Sequence, residues 1–342
     1  MMLRKTLVLL LSALTLFAGA GCTHESVPKD SSVVLTFSTG NIITKTGEAD
    51  GTAIAFDNDI PDLYIAIANS SGQILAKYPD PNDYSQLLDN PSSSQVSIKF
   101  TNFNYNGEFT VYAVANTSGG VWGAPANAAE WRAITSASAL DALTFTALTG
   151  DNIYNVDPDT GRLPLSAKGT LYVNEGHNGH ADIELLRCVA KVAFKFKNET
   201  GSPLTLTNCT VTIKDINPTQ GYIFPQTNDV TGTARDLTLI QSETLADIGT
   251  LTDFYGDMLV FPSVAPARAV GSRYHCDISF TVNNESKSFT DLPIHDKQSR
   301  DITSLNRNQY LQIETRINRG LDVSFNFVVH DWDENIEEII FH

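Results

Sequence analysis

Apolar and polar residues alternate in short runs along most of this chain. Residues 96–100 form the cleanest run, with an apolar side chain at every second position, and residues 109–116 are a strong β run with apolar residues at most positions. Because successive side chains of a strand point to opposite faces, each run predicts a β-strand with one buried face. Residues that favour turns, such as 198–203, separate the runs. The other predicted strands cover residues 33–37, 63–68, 170–173, 182–197, 204–213, 258–261, 274–282, 309–317 and 321–329.

Helical signals are confined to one Ala- and Leu-rich segment at about residues 127–148. Many short strands separated by turns, with few helices, are typical of antiparallel sandwiches. We therefore predict an all-β fold with a few short helices, built as two antiparallel β-sandwich domains of transthyretin-like or Greek-key type. The turn-rich segment 157–164 predicts the boundary between an N-terminal domain over 46–162 and a C-terminal domain over 163–342.

The first 22 residues carry a different pattern. Arg4 and Lys5 precede an apolar run over residues 7–17, and small residues then lead to Cys22. A basic start, a short apolar stretch and small residues at the cleavage point predict a secretory signal peptide over residues 1–21. A cysteine in this place resembles the bacterial lipobox, which implies acylation of Cys22 and anchoring in the cell outer membrane. The alternative is an ordinary secreted protein with an incidental cysteine.

The net charge narrows the possible partners. The 342 residues carry a formal charge of −16, and the signal peptide removes two of the positive side chains. Nucleic-acid binding depends on Lys and Arg contacts to phosphate, so this acidic chain argues against a nucleic-acid partner. We expect a soluble body that touches lipid only through Cys22.

Three further cysteines leave an odd number for an oxidising compartment. Cys188 and Cys209 each share the apolar face of a predicted strand, so a disulfide between them is possible. The register of a simple hairpin does not place them opposite each other, however. We therefore favour burial of Cys188, Cys209 and Cys276 as free thiols that act as small hydrophobic residues.

No motif for catalysis or nucleotide binding stands out. The turn 175–180 holds a Glu and two His, which are zinc-type ligands, but a solvated hairpin tip is the simpler interpretation. Residues 155–166 imitate a calcium loop, yet Ser166 stands where an EF-hand has Glu. The carboxylates of residues 331–338 are typical of a solvated surface. The sequence thus predicts no enzyme activity, no catalytic residue, no metal site and no cofactor.

Five segments that follow the lipobox in order resemble one known family. Residues 109–116 are similar to its "vyavaN" strand, and residues 328–332 to its terminal "V-x-x-W". Residues 163–166, 186–192 and 305–310 are similar to "lPMs", "L-x-R-x-x-A-K/R-V" and "I-x-R-N-x-x-Y", although Leu165 replaces the commoner Met. The family is that of the fimbrillins, subunits of the type V fimbriae of Bacteroidales-type bacteria. The resemblance covers most of the mature chain.

The resemblance implies two β-sandwich domains, no catalytic site, and assembly with neighbouring fimbrial subunits by strand exchange. A protease removes the first strand of a subunit, and a strand from its neighbour then fills the groove. Residues 22–45 are then a propeptide that carries the removable strand. The family is cut after Arg or Lys, and no Arg lies between Cys22 and Arg132, so we expect cleavage between Lys45 and Thr46. The alternative is that Lys45 is a surface lysine in an intact loop.

The expected donor strand is the C-terminal tail. Its apolar residues are Ile336, Ile339, Ile340 and Phe341. An exposed tail of this kind would be a hazard in a monomer, whereas a neighbour's groove would pair its backbone.

We therefore expect a structural subunit of a cell-surface fimbria that supports adhesion, with a place in the stalk as a homopolymer that also contacts tip and anchor subunits. A tip or anchor subunit is the close alternative, and an anchor keeps its lipid and its first strand. A surface glycan-binding lipoprotein is the other alternative, with Trp122, Trp131 and Tyr154 as candidate exposed aromatic residues. The host or bacterial surface ligand is not defined by the sequence.

Overall fold

The computed structural model describes two β-sandwiches and the contacts between them. It covers residues 31–39, 60, 62–80, 85–87, 94–117, 125, 127–146, 163–241, 245–248, 256–268, 271–296 and 298–331. The predicted lipidation, processing and donor positions lie outside these residues, namely Cys22, Lys45, Thr46, Ile336, Ile339, Ile340 and Phe341. Trp122, Tyr154 and residues 155–162 of the calcium-like loop also lie outside them.

Two short α-helices, α1 (Ala128–Ala133) and α2 (Ala137–Asp141), lie within the segment where the sequence predicts helix. Each begins at a side-chain cap, because Asn127 accepts hydrogen bonds from two amides of α1 and Ser136 accepts one from an amide of α2. A 3-10 turn covers Arg319–Leu321. In the part of the chain described here, no helix is long and apolar enough to cross a membrane.

All remaining regular elements in these ranges are strands. The strands of the first half are β1 (Val33–Ser38), β2 (Leu63–Asn69), β3 (Ile74–Tyr78), β4 (Ser85–Leu87), β5 (Gln95–Phe100), β6 (Gly107–Ala115), β7 (Thr144–Thr146), β8 (Leu165–Val173), β9 (Gly179–Glu184) and β10 (Leu186–Arg187). Those of the second half are β11 (Ala190–Asn198), β12 (Leu204–Ile213), β13 (Gln220–Tyr222), β14 (Val230–Thr231), β15 (Leu237–Gln241), β16 (Leu245–Ile248), β17 (Gly256–Val260), β18 (Ser263–Val264), β19 (Ala267–Arg268), β20 (Gly271–Ser272), β21 (His275–Val282), β22 (Glu285–Pro293), β23 (Ser304–Leu305), β24 (Gln309–Ile317) and β25 (Val323–Asp331).

The first sandwich encloses one hydrophobic core between two sheets. Their strand orders are β4-β5-β1-β9 and β10-β8-β6-β2-β3. Val96 and Ile98 of β5 share this core with Val111 and Ala113 of β6, and all four side chains are fully buried. The alternation of residues 96–100 therefore selects the buried face of β5, whereas β6 also buries Tyr112 and Val114 on its other face.

The second sandwich repeats this plan with a separate core. Its sheets have the orders β17-β11-β24-β25 and β15-β12-β21-β22. Phe194 and Phe196 of β11 are in contact edge to face, and Phe196 meets Phe280 of β21 with 5.0 Å between ring centroids. Aromatic contacts of this kind add to the energy of area burial. The predicted all-β sandwich fold is confirmed.

A third cluster of buried residues, the joint core, connects the two sandwiches. β7 of the first half pairs with β13 of the second, and β13 pairs with β14. Tyr112 and Phe224 meet edge to face at 5.1 Å, and Phe145 stacks on Phe261 at 6.4 Å. The members of the joint core are Tyr64, Ala66, Ala68, Tyr112, Val114, Trp131, Leu140, Phe145, Leu163, Cys188, Val189, Ile223, Phe224, Leu259 and Phe261.

The sheets divide the chain at a different point from the sequence boundary at 162/163. β8 and β9 belong to the first sandwich, so the chain passes to the second between Glu184 and Ala190. The single strand predicted over 182–197 is accordingly split into β9, β10 and β11. Leu185 is buried in the first core, Val189 in the joint core and Val192 in the second core. Because neighbouring apolar residues of this segment serve three different cores, no turn-rich polar linker marks the passage.

The three cysteines of the described chain are buried free thiols, as the sequence favours. Cys188 lies in the joint core, whereas Cys209 and Cys276 lie in the second core. Burial raises the pKa of Cys209 to about 11 and that of Cys276 to about 12. The thiols therefore stay protonated at neutral pH and pack as hydrophobic groups.

Candidate functional site at the first strand and the joint

β1 lies inside its sheet and is paired along both edges. All six of its residues pair antiparallel with β5, and the same six pair parallel with β9. β5 and β9 are far apart in sequence and are not hydrogen-bonded to each other, because β1 lies between them in the sheet. β1 is therefore the element that joins β9 to the rest of this sheet.

The inward side chains of β1 are completely buried. Val33, Leu35 and Phe37 are each 0% exposed in the first core. Burial of a large apolar side chain contributes about 1.5–3 kcal/mol, so these three together contribute about 5–9 kcal/mol. Loss of β1 without a replacement strand would remove this contribution and uncover the core behind it.

Hydrogen bonds fix β1 at both ends. At its start, the Ser32 amide donates to Asn178 Oδ1 at 2.9 Å, and the Gly179 amide donates to the Ser32 carbonyl at 2.9 Å. At its end, the Leu185 amide donates to the Ser38 carbonyl at 2.7 Å. The position of β1 is thus defined by the turn before β9 and by the residue after β9.

Gly179 allows β9 to approach both β8 and β1 closely. A Cβ atom at this position would come 2.8 Å from Val173 Cγ2 and 3.0 Å from Val33 Cγ2. In the sequence, Gly179 lies in the turn 175–180 that holds the zinc-type ligands, and the sequence analysis gives this glycine no role. Its role comes from the parallel pairing with β1, which sequence patterns do not reveal.

The joint core is held by a buried cation, Arg307. Its guanidinium forms a bidentate pair with Asp229, with Nε to Oδ2 at 2.8 Å and Nη2 to Oδ1 at 3.0 Å. It also donates to Ser166 Oγ at 3.1 Å and to the carbonyls of Ile223 and Tyr222. Arg307 is only 9% exposed, so all of its donors are directed into the protein. One side chain thereby connects β8 of the first sandwich to three positions of the second half.

Three of the segments that carry the family resemblance meet at this joint. Ser166 accepts from Arg307, and the Cys188 thiol lies 3.2 Å from Ser166 Oγ. Arg187 donates to Asn308 Oδ1 at 2.8 Å. The sequence did not assign functions to these residues. A charged residue inside a short apolar segment is the signal that could have identified Arg187, whereas Arg307 stands between two Asn residues and carries no such signal.

The other candidate ligands remain apart or buried. Glu175 and His177 are exposed, and His180 pairs at the surface with Asp182 at 3.1 Å. The described ranges contain no group of three or more His, Cys, Asp or Glu side chains that could hold a metal ion. Trp131, expected among exposed aromatic residues, is 0% exposed and donates its indole N–H to the Ile65 carbonyl at 3.1 Å. Trp131 is therefore a core residue that anchors α1 to β2.

These features define a class of all-β protein in which two sandwiches share a joint core and the first strand completes the first sandwich. Solved structures similar to this chain include proteins of Bacteroides and Parabacteroides species. A candidate cell adhesion protein from Bacteroides eggerthii has a TM-score of 0.50 and 14% identity, covering 89% of this chain and 96% of its own. A fimbrial assembly protein from Parabacteroides distasonis has a TM-score of 0.44 and 14% identity, covering 88% and 95%. At such identities the first likeness concerns the fold alone.

The family is identified from the sequence. The family model described as fimbrillin-A associated anchor proteins Mfa1 and Mfa2 matches residues 23–338, and the chain belongs to this family. The fimbrial resemblance of the sequence is thus confirmed. Membership indicates a fimbrial or adhesion protein of the cell surface that associates with other fimbrial proteins. None of the curated protein sequences matches this chain.

Proposed function

We propose that the protein is a lipid-anchored component of a cell-surface fimbria, and that it acts as the anchor. The observation that carries this proposal is β1, which is paired on both edges and buries three apolar side chains completely. A subunit that keeps such a strand has a closed first sandwich and takes no strand from a neighbour. It joins the fimbria by donating a strand of its own.

The pattern of the tail supports donation to a different kind of subunit. β1 fills its place with apolar residues at three alternate positions, Val33, Leu35 and Phe37. No register of residues 332–342 offers three apolar residues at alternate positions, because acidic or polar residues interrupt each set. Burial of a carboxylate in a groove shaped for an apolar residue is costly. The tail therefore fits the groove of a second copy poorly, which argues against a homopolymer.

The lipid would hold this anchor close to the membrane. Acylated Cys22 is about nine residues before Ser31, and an extended chain of that length reaches at most about 30 Å. The start of β1, where Ser32 meets Asn178, would then face the outer membrane. The family description as anchor proteins agrees with this arrangement.

The N-terminus of the mature surface protein tests the proposal. An anchor should begin at acylated Cys22 and retain the peptide that contains β1, detected by mass spectrometry of isolated outer membrane. Labelled palmitate should enter the natural protein and not the Cys22→Ser variant. Equal labelling of both proteins would refute lipid anchoring.

A stalk subunit is the second candidate, and the position of Lys45 after β1 supports it. Cleavage between Lys45 and Thr46 would free β1, and a neighbour's strand could pair with both β5 and β9. In that case the surface protein begins at Thr46, and Lys45→Gln blocks both the processing and the polymer. A natural N-terminus at Cys22 that Lys45→Gln leaves unchanged would exclude this candidate and leave the anchor.

A further inference from the structure

The turn that leads into β9 contains a dipeptide with a chemistry of its own. Asn178 is followed by Gly179, and the same dipeptide recurs as Asn106 and Gly107 at the start of β6. We call these dipeptides the 178 pair and the 106 pair. An asparagine side chain is most readily attacked by the backbone nitrogen of the next residue when that residue is glycine, because glycine has no Cβ to obstruct the approach.

The reaction of such a pair needs only water. The glycine nitrogen bonds to the side-chain carbonyl carbon of the asparagine, and the bond from that carbon to the side-chain nitrogen breaks. The side-chain nitrogen leaves as ammonia together with the amide proton of the glycine, and a cyclic imide remains. Water then opens the imide, which leaves aspartate or isoaspartate in place of the asparagine. Asparagine is accordingly one of the thermolabile residues of proteins.

The residue before β1, Ser32, occupies both reacting groups of the 178 pair. Asn178 Oδ1 accepts from the Ser32 amide at 2.9 Å and from Ser32 Oγ at 3.2 Å. The Gly179 amide, which supplies the attacking nitrogen, donates to the Ser32 carbonyl at 2.9 Å. The attack requires this nitrogen to lose its proton and the Asn178 side chain to turn towards it. The hydrogen bonds that Ser32 makes with both residues must therefore break first.

Packing restrains the 178 pair further and leaves the 106 pair open. Gly179 is buried, and the parallel ladder with β1 begins at this residue, beside Val33. Both residues of the 106 pair are exposed. Apart from its chain neighbours, no described atom lies within 4 Å of the position that a Cβ of Gly107 would take. The backbone of the 178 pair can thus rearrange only when the start of β1 moves away.

We propose that the 178 pair is a self-modification site that β1 keeps inactive, and that loss of β1 without a replacement strand converts Asn178 to aspartate or isoaspartate. Isoaspartate lengthens the backbone by a methylene at the residue that fixes the start of β1. A converted groove therefore no longer offers a strand the native register. The meaning for assembly rests on the proposed function, because an anchor that keeps β1 also keeps Asn178, whereas the protection itself is a property of the monomer.

Peptide mapping by mass spectrometry measures the conversion of each pair during incubation of the full mature chain at neutral pH. The same chain unfolded in guanidinium chloride gives the intrinsic rate of each pair. In the native protein the 178 pair should convert at least about tenfold more slowly than in the unfolded chain, because it reacts only from locally opened molecules. The 106 pair is the internal reference, and its rate should differ less between the two conditions. Native conversion of the 178 pair at its unfolded rate would overturn the proposal.

Weakening of β1 should release the protection. Leu35→Ala removes a fully buried side chain of β1 and should speed native conversion of the 178 pair about tenfold or more, since local opening becomes easier. The control Ile313→Ala removes a fully buried side chain of the second core and should leave the 178 pair protected. Equal conversion in the two variants would overturn the role of β1. Hydrogen exchange of β6 shows whether Leu35→Ala stays folded, and the natural protein alone decides the question if it does not.

The effect of conversion on β1 is measured on the same samples. Ion exchange separates converted from unconverted Leu35→Ala molecules, because conversion adds a negative charge. The amides of β1 should exchange hydrogen about tenfold faster in the converted fraction, and equal exchange would refute the loss of register. These measurements need neither a lipid nor a neighbour. They can therefore fail while a mature N-terminus at acylated Cys22 still supports the anchor, or succeed where that N-terminus is not found.

Discussion

Removal of the Arg307 side chain should loosen the joint core more than any surface charge does. In Arg307→Met the methionine preserves much of the aliphatic volume but none of the donors. Asp229, whose side chain is 20% exposed, would lose its bidentate partner. Ser166 and the carbonyls of Tyr222 and Ile223 would lose a donor as well.

The expected cost follows from the burial of the pair. Loss of one partner of a buried ion pair costs about 3–5 kcal/mol, because the other charge stays in place without compensation. Partial exposure of Asp229 lets water reach its carboxylate, so we expect a value near the lower limit, about 3 kcal/mol. The double variant with Asp229→Leu should cost less than the sum of the single variants, with a coupling of about 2 kcal/mol.

Urea unfolding followed by tryptophan fluorescence measures these free energies, since Trp131 lies in the joint core. The control is Arg300→Met, because Arg300 pairs with Asp296 at 2.6 Å but its side chain is 75% exposed. Solvent screens that surface pair, so its loss should cost much less than the loss of Arg307. If Arg307→Met is as stable as Arg300→Met, or if the double-variant cycle shows no coupling, the network does not hold the joint.

Three further outcomes are expected. Gly179→Ala should lower the melting temperature, because its Cβ would overlap Val173 and crowd Val33, and overpacking costs about 1–3 kcal/mol; an unchanged melting temperature would contradict the close packing of β9 against β8 and β1. The three described cysteines should not react with a thiol reagent at pH 8 until the protein is unfolded, and rapid labelling of the native protein would contradict their burial. The carboxylate of Asp277 accepts a hydrogen bond from the Asp291 amide and pairs with Lys214, and both contacts hold its pKa below the ordinary value. The Asp277 carboxylate therefore stabilises the fold above its unfolded-state pKa, and this stability is lost as the pH falls through the lowered pKa of the folded state. Asp277→Asn should therefore flatten the acid side of the stability profile, and an identical profile would contradict this assignment.

The positions of the strands follow from the sequence because a buried face imposes a period of two. The prediction for residues 309–317 coincides with β24, and the one for 33–37 differs from β1 by a single residue. The choice of partner strands does not follow. β1 pairs in parallel with β9, which is more than 140 residues away, and no local pattern encodes that ladder. Pairing at such distance depends on the whole core.

The passage between the sandwiches could not be placed for a related reason. The turn-rich segment 157–164 looks like a linker, but Leu165 begins β8 and is buried in the first core. The passage over residues 185–189 is apolar apart from the buried Arg187, because it runs from the first core into the joint core. A polar linker is a reliable boundary signal only where the domains do not share a core.

The segments that carry the family resemblance have a common structural role. Ser166, Arg187 and Arg307 come from three of them, and their side chains take part in contacts at the joint. The resemblance therefore reflects how two sandwiches are held in one orientation, rather than a site that binds a ligand. A fimbrial component must transmit load from its neighbour to its attachment, and a joint made of a shared core with a buried bidentate ion pair resists rotation at that point. Under the proposed function, differences in role between anchor and stalk lie outside the joint, at β1, which an anchor keeps and a stalk subunit loses. Variants at the joint should consequently change stability without changing which subunit is joined, whereas Lys45→Gln should change assembly, while the fold persists, only if the stalk candidate is correct.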